Sequence, residues 1–309
     1  MTRTLLLAAA LLLAACNTNV DPQFRVNDVR IMAIRSAVLA GASADVQPGD
    51  TLVLDALVAN PLGRPGLSIE WFACLPQGND AVLPCSDLAT LSDPSRLAGD
   101  PSVMVLGSGP HVEYTPPAAK LTAALDFAID TARREPTYRC RLYAELVVVV
   151  VASAEGKRSV AEKAVRVVPT SLPPDVTSYY TLNHNPKADD VLRAPSDPDA
   201  CTGGTSLGAG PFPAGKTVIC GRANSVPGTY TADRFNLCNP DGSITPEQDE
   251  SLSWQWYAAG GDFPAVGGVG NARGDHVDFT RPPDAFALWG ILRDGRGGTD
   301  WVSFAVSAL

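Results

Sequence analysis

Leu67-Ser68-Ile69-Glu70-Trp71-Phe72-Ala73-Cys74 returns in the second half of the chain as Leu252-Ser253-Trp254-Gln255-Trp256-Tyr257-Ala258-Ala259. Alternation at a period of two marks a strand with one buried face, so Leu67, Ile69, Trp71 and Ala73 are expected inward, with Ser68 and Glu70 outward. The second copy puts Leu252, Trp254, Trp256 and Ala258 inward in the same phase. Two further blocks repeat in the same order. Pro48-Gly49-Asp50-Thr51 ahead of Leu52-Val53-Leu54 answers Ala214-Gly215-Lys216-Thr217 ahead of Val218-Ile219-Cys220. Gly109-Pro110-His111-Val112-Glu113-Tyr114-Thr115-Pro116-Pro117 answers Gly274-Asp275-His276-Val277-Asp278-Phe279-Thr280-Arg281-Pro282-Pro283. Matched blocks in a preserved order imply two copies of one fold. The first copy carries extra residues at 77–100 and 118–135, expected as inserted loops.

Strand-like runs end at Pro48, Asn60-Pro61, Pro116-Pro117, Gly156 and Asp294-Gly295, with no long helical pattern between them. Short strands separated by turn residues predict an all-β chain of two tandem antiparallel β-sandwiches. Leu146-Val147-Val148-Val149-Val150-Val151 is too short to cross a bilayer; it reads as a buried strand, with residues 158–168 pairing beside it. The core Trp of the third strand, Tyr138-Arg139-Cys140 (similar to the tyrosine corner that opens strand F) and Phe286-Ala287-Leu288 in the matching place resemble the immunoglobulin-like and PKD-like β-sandwich superfamily. Arg293-Asp294-Gly295-Arg296-Gly297-Gly298 before Asp300-Trp301 looks like the terminal hairpin of PKD-like modules, Asp-Gly supplying positive-φ residues. The domains are placed at residues 26–169 and 175–309, joined nearly end to end by a short linker at 170–174. No cysteine falls convincingly on strand B of the first copy, so the usual inter-sheet disulfide is not expected there. The resemblance implies a binding or spacer role only by analogy.

Arg3, an apolar run over residues 5–15 and then Leu13-Ala14-Ala15-Cys16 resemble the signal peptide and lipobox of bacterial lipoproteins. An apolar core of about 11 residues is too short for a spanning helix, which needs roughly 20. The resemblance implies that residues 1–15 are removed, that Cys16 becomes a diacylglycerol thioether and is N-acylated, and that residues 16–25 form a tether. Asn17, rather than Asp, resembles outer-membrane sorting. About eight residues separate Cys16 from Val26, a reach of at most ~30 Å, which is expected to hold the first domain near the membrane and leave the second outermost.

A net charge of −9 in 309 residues opposes nucleic-acid binding, which Lys and Arg drive by displacing counterions. With 45% hydrophobic and 18% charged residues the chain builds real cores. Six cysteines follow Cys16, three in each domain, and in an exported chain they are read as disulfide formers. Strand phase sets Cys74 outward and Cys140 inward, so Cys74–Cys85 is the preferred pair; Cys201, Cys220 and Cys238 leave three pairings open. No pair has CxxC-type spacing, and no zinc site is expected. Gly204-Thr205-Ser206-Leu207-Gly208 matches a nucleophile elbow with His276 downstream, but no strand-to-helix context surrounds it. His111 and His276 hold matching repeat positions and read as strand residues, and His184 as a loop residue. Asp241-Gly242-Ser243 lacks both anchor carboxylates of an EF-hand loop. Asp189-Asp190 and Asp197-Pro198-Asp199 are acidic enough to consider calcium but read as solvated loops.

No catalytic residue, cofactor or metal is therefore expected, and the chain is read as a non-enzyme. The leading expectation is a lipid-anchored cell-envelope protein, placed at the outer membrane, whose sandwiches serve a protein partner or envelope assembly. The second is a carbohydrate-binding surface module stacking sugar rings on Phe72, Tyr257 or Trp301. A third is an enzyme accessory subunit.

Overall fold

The computed structural model describes residues 24–41, 43–74, 97, 103–138, 142–172, 174, 180–194, 204–207, 212, 215–223, 234–239, 241, 243–263, 265–266, 269–270 and 276–307. The first half contributes β1 (Arg30–Val38), β2 (Leu52–Ala59), β3 (Ser68–Cys74), β4 (Val103–Ser108), β5 (His111–Tyr114), helix α1 (Ala118–Arg134), β6 (Ala144–Ala154) and β7 (Lys157–Val167). They form two antiparallel sheets, β1-β2-β5 and β4-β3-β6-β7. A parallel bridge from Val46 to Val167 closes the edge. This is the immunoglobulin-like arrangement, strands A, B and E facing C′, C, F and G.

The second half contributes β8 (Ala188–Ala194), β9 (Thr205–Ser206), β10 (Lys216–Ala223), β11 (Arg234–Cys238), β12 (Ile244–Asp249), β13 (Ser253–Ala258), β14 (Ala265–Val266), β15 (Val269–Gly270), β16 (His276–Thr280), β17 (Phe286–Arg293) and β18 (Thr299–Val306). Its sheets are β16-β10-β8-β9 and β13-β17-β18, with β11-β12 and β14-β15 as separate hairpins. The repeat holds strand by strand, β2, β3 and β5 matching β10, β13 and β16. The turns entering β2 and β10 both use glycine at positive φ, Gly49 at 100° and Gly215 at 82°.

The inward phase is as the alternation predicts at Ile69, Trp71, Trp254 and Trp256, all buried. Trp71 Nε1 donates to the Gly109 carbonyl at 2.7 Å, so its one polar atom is satisfied. Trp254 and Trp256 stack at 5.2 Å with 11° between planes. Gly290 makes room for them, since a Cβ there would stand 2.7 Å from Trp256. Leu67 departs from the expected phase: it precedes β3 and is 43% exposed.

Beyond Trp71 the one-sided reading of β3 fails, because that sheet is covered on both faces. Leu146, Val148, Val150 and Ala152 of β6 face the main core, while Val147, Val149 and Val151 join Phe72, Cys74, Leu97 and Val103 in a second cluster outside it. A strand buried on both faces needs no polar residues, which accounts for the unbroken valine run. Cys74, expected outward, is fully buried here, with Leu97 of the first insertion in the covering layer.

The second insertion is not a loop. Residues Ala118–Arg134 form α1, which buries Leu121, Leu125 and Ala132 at helical spacing and ends in Arg133 and Arg134, favourable for the helix dipole. Tyr138 follows in a one-turn 3-10 helix at 40% exposure, ahead of β6, so it is not the buried corner that the resemblance implied. The terminal hairpin joins β17 to β18 as expected, but its positive-φ residues are Gly295 and Gly297; Asp294, expected to share that role with Gly295, does not.

Candidate functional site

The sandwiches are not strung end to end; they pack face to face. The outward side of β1-β2 carries Met32, Ala33, Leu57 and Ala59, and these meet Tyr257, Trp289, Ile291 and Trp301 from the outward side of β13-β17-β18. A register shift between Ile31 and Ala33 throws Met32 outward into this layer. Four sheets therefore stack through three apolar layers, the middle one shared by both sandwiches.

Charge and hydrogen bonds ring that layer. Arg35 bonds Asp55 at 3.0 Å within its own sandwich and Asp300 at 2.6 Å in the other, while its guanidinium lies 4.8 Å from the Trp301 ring. Arg30 lies 5.3 Å from the Tyr257 ring. Asp45, 2% exposed, accepts from Arg166 Nε at 2.8 Å and Nη2 at 2.7 Å, from the Tyr180 hydroxyl at 3.0 Å and from the Asn183 amide at 2.8 Å. Burial, with Asp45 beside it, raises the Tyr180 phenol well above its ordinary range. Asn183 Nδ2 passes the network to Asp294 at 2.9 Å, and Asn185 joins Ser36 O at 2.7 Å to the Thr299 amide at 3.1 Å. The stretch around His184, which reads as a loop residue, is the seam between the sandwiches. Asn183 and Asn185 share a phase around His184, the one sequence signal that pointed to it.

Residues 24–26 belong to the second sandwich. Val26 N donates to Ala258 O at 3.0 Å and Ala258 N to Phe24 O at 3.1 Å, and the Phe24 ring meets Phe263 edge-on at 5.1 Å. The chain after the tether, expected to enter the first sandwich at Val26, therefore meets the second sandwich before it.

Beside the shared layer a cleft of about 400 Å³ opens between β1, β7 and the β17–β18 hairpin, lined by Ile31, Ile34, Ala161, Lys163, Arg293 and Gly297 among others. Lys163 Nζ donates to the Gly297 carbonyl oxygen, crossing between sandwiches. Desolvation, opposed in part by the nearby Asp294 carboxylate and reinforced to a lesser degree by Arg293, lowers its pKa from 10.5 to about 8. The unfolded chain thus holds this proton to higher pH than the folded one, so folding is penalised below pH 8 and the penalty is lost as pH rises from about 8 to 10. Urea unfolding at pH 7, 8, 9 and 10 is expected to show wild type gaining stability relative to Lys163→Met across that window.

Phe72, 2% exposed, is covered in the outer layer, and Tyr257, 6% exposed, lies in the shared layer with the partly buried Trp301. None of the three is a free platform for a sugar ring. His111 and His276 open β5 and β16 opposite Asp55 and Cys220, and His111 Nδ1 lies 2.8 Å from Asp55 Oδ1. Ser206 lies on β9 with its hydroxyl on Asp190 Oδ1 at 3.0 Å, a strand position rather than an elbow. Asp241 Oδ1 accepts from Ser243 N and Oγ at 2.9 and 2.7 Å, a turn cap that lowers its pKa. Among the described residues no group of three His, Cys, Asp or Glu side chains is placed to hold a metal ion. Cys74 and Cys220 each take part in a disulfide. Cys16, Cys85, Cys140, Cys201, Asp197 and Asp199, and the Cys238 side chain, lie outside the described residues. No described helix is long and apolar enough to cross a membrane.

No family model and no curated protein matches the chain. Among solved structures it is similar to three N-terminal domains of the bacteriophage RB49 outer capsid protein Hoc, at 9% identity over 89% of this chain and 59% of that one, TM-score 0.19. A chimeric titin Z1Z2 tandem gives 9% identity, 93% and 99% coverage and a TM-score of 0.23. The Yersinia pseudotuberculosis adhesin InvE gives 6%, 91% and 60%, and 0.19. The chain thus spans somewhat over half the length of the Hoc fragment. At these scores the architecture rests on the strand order given above.

Proposed function

We propose that this chain is a non-enzymatic, lipid-anchored cell-envelope protein, acylated at Cys16 and sorted to the outer membrane, whose paired sandwiches form a rigid body for a protein partner. The observation that carries this reading is the face-to-face junction, which turns two modules into one stiff unit suited to assembly. An apolar layer shared between modules opposes their relative motion. Carbohydrate stacking is the weaker reading, because Phe72, Tyr257 and Trp301 are consumed by packing. A Cys74–Cys85 disulfide would tie the first insertion to β3.

The anchor's geometry follows from residues 24–26. A tether of about eight residues, reaching at most ~30 Å, ends on the second sandwich and continues into the first. Both sandwiches then lie close to the membrane, and the partner approaches from the sides rather than the tip. Crosslinking intact envelopes and immunoprecipitating the protein, with Cys16→Ala as control, tests the reading. The expected result is one specific envelope protein that is lost with the control; recovery of the same partners without lipidation, or of none, contradicts it.

A further inference from the structure

The cleft between the sandwiches is chemically two-sided. Ile31, Met32 and Ile34 of β1 give it an apolar wall, and Lys163 and Arg293 bring two cations to it. Among the described residues neither cation makes an ion pair: Lys163 donates to the Gly297 carbonyl, and Arg293 Nη1 to Gln255 Oε1 at 2.7 Å. The nearby Asp294 is already engaged, accepting from the Arg296 and Gly298 amides at 2.7 and 2.9 Å and from Asn183 Nδ2 at 2.9 Å. Glu162 stands exposed at the rim. Desolvation is the main cost on the Lys163 charge; Asp294 offsets part of it and Arg293 adds a smaller repulsion, and a bound anion would relieve the remainder. Within a chain of net charge −9 this is a local exception.

We infer that the cleft binds a small aliphatic carboxylate, its head group between Lys163 and Arg293 and its tail along the β1 wall. The volume of about 400 Å³ falls in the ~300–1,000 Å³ range of small-molecule sites and exceeds what an inorganic ion fills. A monoanion suits the cleft better than a doubly charged phosphate, because Asp294 and Glu162 offset part of the positive charge. The head group would take the Lys163 ammonium from the Gly297 carbonyl, exchanging a neutral acceptor for a charged one, which makes the stronger bond. Because Lys163 comes from one sandwich and Arg293 from the other, the ligand would also brace the junction.

The test is titration of the full chain with hexanoate, acetate and inorganic phosphate at pH 7, by calorimetry and by methyl NMR of the protein labelled at its three methionines. Hexanoate is expected to bind saturably, more tightly than acetate or phosphate, and to shift the Met32 methyl while leaving Met104 in place. Lys163→Gln and Arg293→Gln are each expected to weaken hexanoate by about tenfold or more, with Lys163→Arg retaining it. Absence of saturation below about 10 mM, phosphate binding as tight as hexanoate, or affinity unchanged in both Gln variants would overturn the inference. The Met32 readout is made on the unmodified protein, so it decides the matter even where a variant fails to fold.

Discussion

Trp71→Ala is expected to destabilise the protein by about 3–5 kcal/mol, read as a lower urea midpoint for the first sandwich. Trp71 is fully buried between the sheets, among Leu52, Leu54, Val148 and Val150 in the same core. Truncation leaves a cavity that β3 cannot close, since β3 is fixed between β4 and β6 along its length. The Gly109 carbonyl also loses its donor. Trp71→Phe refills much of the volume but leaves that carbonyl unpaired, and is expected to cost about 1–3 kcal/mol. An equal loss from both substitutions would show that the hydrogen bond, not the packing, holds the site.

Asp45→Ala is expected to cost about 3–5 kcal/mol as well, by a different route. The substitution removes the acceptor for two guanidinium bonds, the Tyr180 hydroxyl and the Asn183 amide together. Arg166 would be left as an uncompensated, mostly buried charge. Asp45→Asn keeps shape and some acceptor capacity but loses the charge, and is expected to fall between wild type and Asp45→Ala. Asn183 links Asp45 to the Asp294 hairpin, so the loss is expected to reach both sandwiches, seen as earlier unfolding of β17–β18 by hydrogen exchange. A loss confined to the first sandwich would place Asp45 outside the seam.

The repeat was legible because period-two alternation and positive-φ turns are local signals, and both copies keep them. Three features were not. Alternation assigns one face inward and says nothing about what covers the other, so Phe72, Tyr257 and Trp301 read as exposed platforms when each is packed. Helix α1 carried its own signal in the spacing of Leu121, Leu125 and Ala132, but strand-rich surroundings drew residues 118–135 toward a loop reading. The cleft joins β1 and β7 to a hairpin more than a hundred residues away, and no short-range pattern in Lys163 or Arg293 announces that meeting. What the sequence hides here is the packing of one finished sandwich on another.

Small-angle X-ray scattering on the unlipidated chain tests that packing most directly. Face-to-face sandwiches predict a compact body with a radius of gyration of about 19–21 Å for roughly 290 residues. Sandwiches strung end to end, with centres about 40 Å apart, would give about 25 Å and contradict the account.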